Sequence, residues 1–162
     1  MALQWSTKGL QILVVLLLVL GIFFRLVDLD LKPYWHDEIF TLLRVSGYQA
    51  AEAVQHLFTG QVVGIDQLLQ YQSPSAEKGA WGTIYGLATE EPQHPPLYYL
   101  TARYWAAWLG SSVATTRLLP ALLSLLGFPA IYWLCLELFA IPAVSVMAMV
   151  LYAVSPIYIR YA

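Results

Sequence analysis

The stretch LQILVVLLLVLGIFF, residues 10–24, decides the fold class, because it is apolar almost throughout and carries no charge. With its flanks it predicts one helix over residues 9–27, a length that crosses a hydrocarbon core of about 30 Å. No small-residue cleavage site follows the run, so we predict an uncleaved anchor rather than a signal peptide. Lys8 favours a cytoplasmic amino terminus, and Arg25 is expected to extend its side chain to the lipid headgroups.

The composition supports lipid as the solvent of much of the chain. Of 162 residues, 59% are hydrophobic and 11% are charged, whereas soluble domains carry roughly 25% charged residues. A net charge of −2 gives no support for nucleic-acid binding. Cys135 is the single cysteine and excludes a disulfide within the chain. We therefore predict an all-α integral membrane protein of the cell membrane, in bacteria the plasma membrane.

Further apolar segments set the predicted organisation. After the start and first helix (1–27) we expect an extracytoplasmic loop over 28–93, and spanning helices over 116–139 and 141–158. The segment 94–110 is short and contains a central arginine, so we favour an interfacial helix and keep a short spanning helix as the alternative. The count is then about three transmembrane helices.

The long first loop has two predicted parts. Residues 38–58 have apolar positions at helical spacing, interrupted near Ser46 and Gly47, and predict two amphipathic helices on the membrane surface. Residues 59–93 contain glycine, proline, serine and lysine and predict a mobile loop. The loop as a whole would place its polar groups in water beside the membrane.

Two clusters of polar residues in this loop are candidates for chemistry. Asp37 and Glu38 are adjacent, so they are expected to have separate roles: one as a general base, the other as a helix cap or a divalent-metal ligand. The alternative is that both simply cap the following helix. His94 precedes two prolines that hold it in extended backbone, and it is either a metal or phosphate ligand or only part of a rigid turn.

Arginines near the apolar segments are further candidates. Guanidinium groups bind phosphate in a bidentate manner, so Arg103 and Arg160 are predicted to bind substrate, with headgroup anchoring as the alternative. Tyr161, beside Arg160, joins the predicted substrate-binding residues. Glu90 and Glu91 are interpreted as a solvated part of the loop, with an added ligand beside His94 as the alternative. The chain has no nucleotide-binding glycine motif, so we predict no nucleotide cofactor.

The order of these features resembles the amino-terminal part of the GT-C glycosyltransferases. It is most similar to the family 39 branch related to protein mannosyltransferases and aminoarabinose transferases. The resemblance covers nearly the whole chain and is carried by RLVDLDLKPYWHDEIFT (25–41), EPQHPPLYYLTARYWAAWLG (91–110), TRLLPALLSLLGFPAIYWLCLELF (116–139) and SPIYIRYA (155–162).

The resemblance implies a multi-pass enzyme that moves a sugar from a polyprenyl-phosphate donor to an extracytoplasmic acceptor. It implies Asp37 as catalytic base with Glu38 beside it, and His94 as a substrate or metal ligand. A divalent ion held by Asp37 and His94 is therefore expected. Family members continue with a Gln-Glu-Ala-Arg stretch, so we expect an amino-terminal part that is inactive alone. The alternative is a non-catalytic or truncated membrane protein.

Overall fold

The computed structural model describes residues 7–31, 33 and 35–160. All regular structure in this part of the chain is helical, which confirms the all-α prediction. By contacts the chain forms two compact units: a terminal unit, Met1–Leu29 with Arg117–Ala162, and an inserted unit, Asp30–Thr116. The α-helices are α1 (Thr7–Leu26), α2 (His36–Ser46), α3 (Ala50–Leu57), α4 (Ile65–Leu69), α5 (Gly79–Glu90), α6 (Pro96–Leu109), α7 (Val113–Leu125), α8 (Gly127–Phe139), α9 (Pro142–Val154) and α10 (Pro156–Arg160).

Two helical stretches of the described chain are long and apolar enough to cross a membrane. They are Thr7–Leu26, which is α1, and Val113–Phe139, which contains α7 and α8. They match the predicted spans over 9–27 and 116–139. The predicted surface position of α2, α3 and α6 and the three-span count stay predictions.

The predicted third span, 141–158, is divided in the structure. Helix α9 begins at Pro142, where proline suits a first helical turn. It ends before Ser155, and the short α10 begins at Pro156. At about 1.5 Å per residue, α9 is roughly 20 Å long, less than a hydrocarbon core of about 30 Å. The interruption therefore makes α9 too short to span unless the bilayer is locally thinner.

The Arg25 side chain donates hydrogen bonds to the last carbonyl groups of α9. The expectation that it extends to the headgroups is wrong. Its guanidinium is buried and donates to Gly21 O at 2.9 Å, Ala153 O at 2.7 Å and Tyr152 O at 2.9 Å. Pro156 has no N–H, so it cannot donate to Tyr152 O four residues earlier. The arginine supplies the missing donor, and this explains why it points inward.

The inserted unit has its own small core around α2. Leu43 of α2 is buried together with Ala53 of α3 and Tyr71. Helix α2 ends at Gly47, which has φ +88° and adopts the left-handed conformation that glycine tolerates. The break between α2 and α3 therefore falls at the predicted Ser46–Gly47 position, and the apolar side of both helices packs inward.

Helix α5 replaces part of the predicted mobile loop. Residues 59–93 were expected to lack regular structure, but Gly79–Glu90 is helical and packs against α2 and α6. Gly82 approaches the α2 turn so closely that a Cβ there would meet Gly47 O at 2.6 Å. Glycine is therefore required by a close approach of two backbones, whereas the sequence pattern suggested a flexible loop.

Candidate functional site

The first turn of α2 separates the two adjacent carboxylates. Glu38 accepts a hydrogen bond from the backbone N–H of Trp35 at 3.0 Å and so caps the helix. Asp37 accepts from the Trp35 indole Nε1 at 3.2 Å, and its side chain is 83% exposed. His36 Nδ1 lies 3.7 Å from the other Asp37 oxygen. Glu38 thus caps the helix backbone, whereas the Asp37 carboxylate is exposed to solvent.

His94 is held by the residue three positions before it. Its Nδ1 lies 3.1 Å from Glu91 Oε2, and its backbone N–H donates to Glu91 O at 3.0 Å. Pro95 and Pro96 then start α6 with extended and helical backbone respectively. A carboxylate on Nδ1 fixes the ring orientation and directs the Nδ1 proton, which leaves Nε2 for a ligand.

The Glu91 carboxylate that contacts His94 is itself held by a buried arginine. Arg44 of α2 is buried, contacts Glu90 Oε2 through Nη1, and donates from Nη2 to Glu91 Oε1 at 3.3 Å. The Glu90 carboxylate also accepts from the backbone N–H of Ala50 at 3.2 Å. Glu91 therefore uses one oxygen for Arg44 and the other for His94, so that α2 positions the histidine through an ion pair and a hydrogen bond.

Tyr99 of α6 lies beside His94. Its ring centroid is 6.0 Å from that of His94. Burial raises the pKa of the Tyr99 phenol and the Glu91 carboxylate raises it further, whereas Arg44 and a hydrogen bond with Thr41 lower it. The phenol therefore lies in the same charged surroundings as the Glu91 carboxylate that holds His94.

Helices α2 and α6 run in the same direction in this unit. Tyr98, at the start of α6, has a raised pKa because it is buried and because Glu38, at the start of α2, is nearby. Further along, Arg103 of α6 donates from Nη1 to Val45 O near the end of α2, at 2.7 Å. Asp37 and Glu38 lie in the first turn of α2, and His94 lies just before α6 begins. That these three residues share one site stays a prediction.

The structure also places two of the other predicted substrate-binding residues. Arg103 is only 6% exposed, and its guanidinium donates to Val45 O and to Ser75 O. It holds the α2 turn and the chain before α5 together. Arg160 is the last residue of α10 and belongs to the terminal unit. Tyr161 lies outside the described residues.

Sequence reasoning did not consider Arg44 and assigned Glu90 and Glu91 to a solvated loop, which is wrong. The two glutamates end α5 and pair with a buried guanidinium. The spacing of Glu91 and His94 could have indicated their contact, because residues three apart in a turn can contact one another. A lone arginine among the apolar residues of α2 was the second signal.

In the part of the chain that the structure describes, no three His, Cys, Asp or Glu side chains form a group that could hold a metal ion. The divalent ion expected at Asp37 and His94 stays a prediction, and the mechanism below uses the chain's own residues. Comparison of the chain with protein-family models, with curated proteins and with solved structures gives no match.

Proposed function

We propose that the chain is the amino-terminal part of a membrane glycosyltransferase that moves a sugar from a polyprenyl-phosphate donor to an extracytoplasmic acceptor. The observation that carries the proposal is the division of roles in the first turn of α2. Glu38 caps the backbone, and the adjacent Asp37 keeps an exposed carboxylate. The family resemblance in the motifs around Asp37 and His94 supports the same role.

The site lies in a unit that suits a lipid-borne substrate. In the sequence, the inserted unit follows α1 and precedes the rest of the second membrane-length stretch. A polyprenyl phosphate keeps its chain in the bilayer and its phosphate and sugar at the headgroup level. The proposed donor and the exposed carboxylate are then both at the boundary between lipid and water.

The proposed reaction is one displacement at the anomeric carbon. Asp37 accepts the proton of the acceptor hydroxyl or amine, and the acceptor atom forms the new bond to the anomeric carbon. The bond from that carbon to the phosphate oxygen breaks, and the polyprenyl phosphate leaves with the electron pair. Attack from the opposite face inverts the configuration. The energy is already present in the activated sugar, so no nucleotide is needed.

His94 has a binding role in this mechanism. Glu91 holds the ring through Nδ1–H, and Nε2 then accepts a hydrogen bond from a sugar hydroxyl. A positioned acceptor of this kind aligns the donor sugar with the attacking atom, which lowers the entropy cost of the reaction. The Tyr99 ring lies beside the imidazole, with the ring centroids 6.0 Å apart.

The test is Asp37→Asn in the full-length gene product that carries this chain, reconstituted into liposomes with radiolabelled polyprenyl-phosphate sugars. Loss of a general base lowers transfer by about 10²-fold or more, while the amount of protein in the membrane is unchanged. Asp66→Asn, an exposed aspartate in α4, is the matched control and retains activity. Transfer by the Asp37→Asn variant at the unaltered rate would refute the role of the carboxylate.

A second variant tests the binding role of His94. Glu91→Gln keeps the size of the side chain but weakens its hold on the ring, and we expect transfer to fall by about 10-fold or more. The ¹⁵N chemical shifts of the His94 ring report the Nδ1 proton directly. A loss of activity with unaltered ring shifts would show that Glu91 acts through the fold instead.

A further inference from the structure

The inserted unit carries an exposed apolar segment, residues 58–69, between α3 and the end of α4. Val62 is fully exposed, Phe58 is 81% exposed and Ile65 is 70% exposed. Leu68 and Leu69 are also exposed. Single exposed apolar residues are ordinary, but five within twelve residues are a concentration that indicates a binding surface.

The surroundings of the apolar segment favour lipid over an acidic or basic partner. Between Arg44 and Lys78 the sequence contains no lysine or arginine, and Asp66 is the only charged residue within the segment. A protein partner recognised by charge would find almost nothing to pair with. A lipid surface needs only apolar side chains that can enter the region between headgroups and acyl chains.

The backbone of the apolar segment sets the depth of such a contact. Residues 58–64 are not helical, and neither Gly60 nor Gly64 has a neighbouring group near the position of a Cβ. Irregular backbone leaves N–H and C=O groups that need water, so it is too costly in the hydrocarbon core. The side chains can enter the membrane surface while the backbone stays at the hydrated headgroup level.

The inserted unit is connected in sequence to two stretches of membrane length. The inserted unit is covalently continuous with α1 on one side and with the rest of Val113–Phe139 on the other, and both stretches have membrane length. It is therefore tethered to the bilayer by both of its ends.

We propose that the apolar segment inserts its side chains into the extracytoplasmic surface of the bilayer and holds the inserted unit against it. The contact requires no glycosyl transfer and is independent of the activity proposed above. It provides a third point of attachment, besides the two covalent connections.

An environment-sensitive probe tests the contact in the full-length protein. Cys135 is replaced by serine, and Val62→Cys is labelled with the fluorophore NBD and reconstituted into phosphatidylcholine vesicles. Val62 is fully exposed, so the substitution removes no packing within the unit. The matched control is Glu77→Cys, an exposed polar position of the same unit. Thermal unfolding checks that both labelled proteins are folded.

We expect the label at position 62 to emit at shorter wavelength than the label at position 77. We also expect brominated phosphatidylcholine to quench it several-fold more strongly. A short-wavelength emission without quenching by brominated lipid would show that protein covers the segment, from a second copy or from more of the same chain, and would overturn the proposal. Emission like that of the control, with quenching by aqueous iodide, would show a water-exposed segment and would overturn it as well.

Discussion

Arg25 and Arg44, one buried arginine from each unit, are stabilised in different ways. In the terminal unit, Arg25 donates to three backbone carbonyls and lies 5.1 Å from the ring centroids of both Phe128 and Tyr152. In the inserted unit, Arg44 contacts the carboxylates of Glu90 and Glu91. The first uses neutral partners and the second uses charged ones.

The difference teaches where a site can form. Carbonyl oxygens at the end of α9 carry the negative end of a helix dipole, and they stabilise a cation without adding a titratable group. This suits an apolar unit, in which a carboxylate would be costly to bury. In the inserted unit, Glu91 has a second oxygen beyond the one that Arg44 uses, and that oxygen holds His94. Of the two arrangements, only the pairing of Arg44 with carboxylates extends to the candidate site.

Arg25→Met gives the largest expected effect on stability. It removes every donor from Tyr152 O and Ala153 O, and Pro156 cannot replace the first of them. Unsatisfied buried carbonyls cost about 1–3 kcal/mol each, so we expect a loss of roughly 3 kcal/mol or more, seen as a lower Tm in detergent. Lys8→Met, at an exposed position of the same helix, is the control with an unchanged Tm. Equal Tm values for both variants would contradict the assigned role.

Arg44→Gln gives a smaller expected loss, because its carboxylate partners keep some contact with water. Leaving Glu90 and Glu91 without a cation is expected to cost about 2–3 kcal/mol. A triple variant that also carries Glu90→Gln and Glu91→Gln removes the uncompensated charge and recovers more than half of the lost Tm. If the triple variant is no more stable than Arg44→Gln, the cost lies in lost packing and not in unpaired charge.

The smallest expected effect concerns an ion pair on the surface of the inserted unit. Lys78 Nζ lies 2.5 Å from Glu52 Oε1, and this hydrogen bond lowers the pKa of Glu52 and raises that of Lys78. For a lowered carboxyl pKa, the stabilisation is complete above the unfolded pKa of about 4.3. It is lost as the pH falls through the lower folded value.

Because Glu52 is 37% exposed, water screens the pair, and its contribution is below about 1 kcal/mol. The Tm of the unaltered protein should therefore fall slightly more than that of Glu52→Gln between about pH 6 and pH 3. The raised pKa of Lys78 contributes stability that is fully present below its unfolded value and is lost only in alkaline solution, as the pH rises through its folded value. Parallel pH profiles for the two proteins would show that the pair contributes nothing.

The features that could be predicted from the sequence are those that depend on a local pattern of residue types. The apolar run before Arg25 has the length of a membrane helix, and the Gly47 position marks the end of α2. The pair of Asp37 and Glu38 before an apolar helical pattern indicated a helix start, and the structure assigns the cap to Glu38. These features require only spacing along the chain and the known preferences of each residue type.

The rest depends on contacts between distant parts of the chain. Arg25 at the end of an apolar run is typical of a side chain that reaches the headgroups, and only the position of α9 shows its carbonyl partners. Helix α5 was missed because glycine lowers helix propensity, although packing against the Gly47 turn requires it. The link from Arg44 to His94 joins residues about fifty positions apart.

The missing N–H of Pro156 also controls how far the third apolar segment can reach. If residue 156 donated normally, one continuous helix over 142–160 would extend about 28 Å, close to the thickness of a hydrocarbon core. A single imino acid thus decides between a short helix with a capped end and a full crossing. Arg25 and Pro156 act together, because Pro156 leaves the carbonyl of Tyr152 without a backbone donor and Arg25 donates to it.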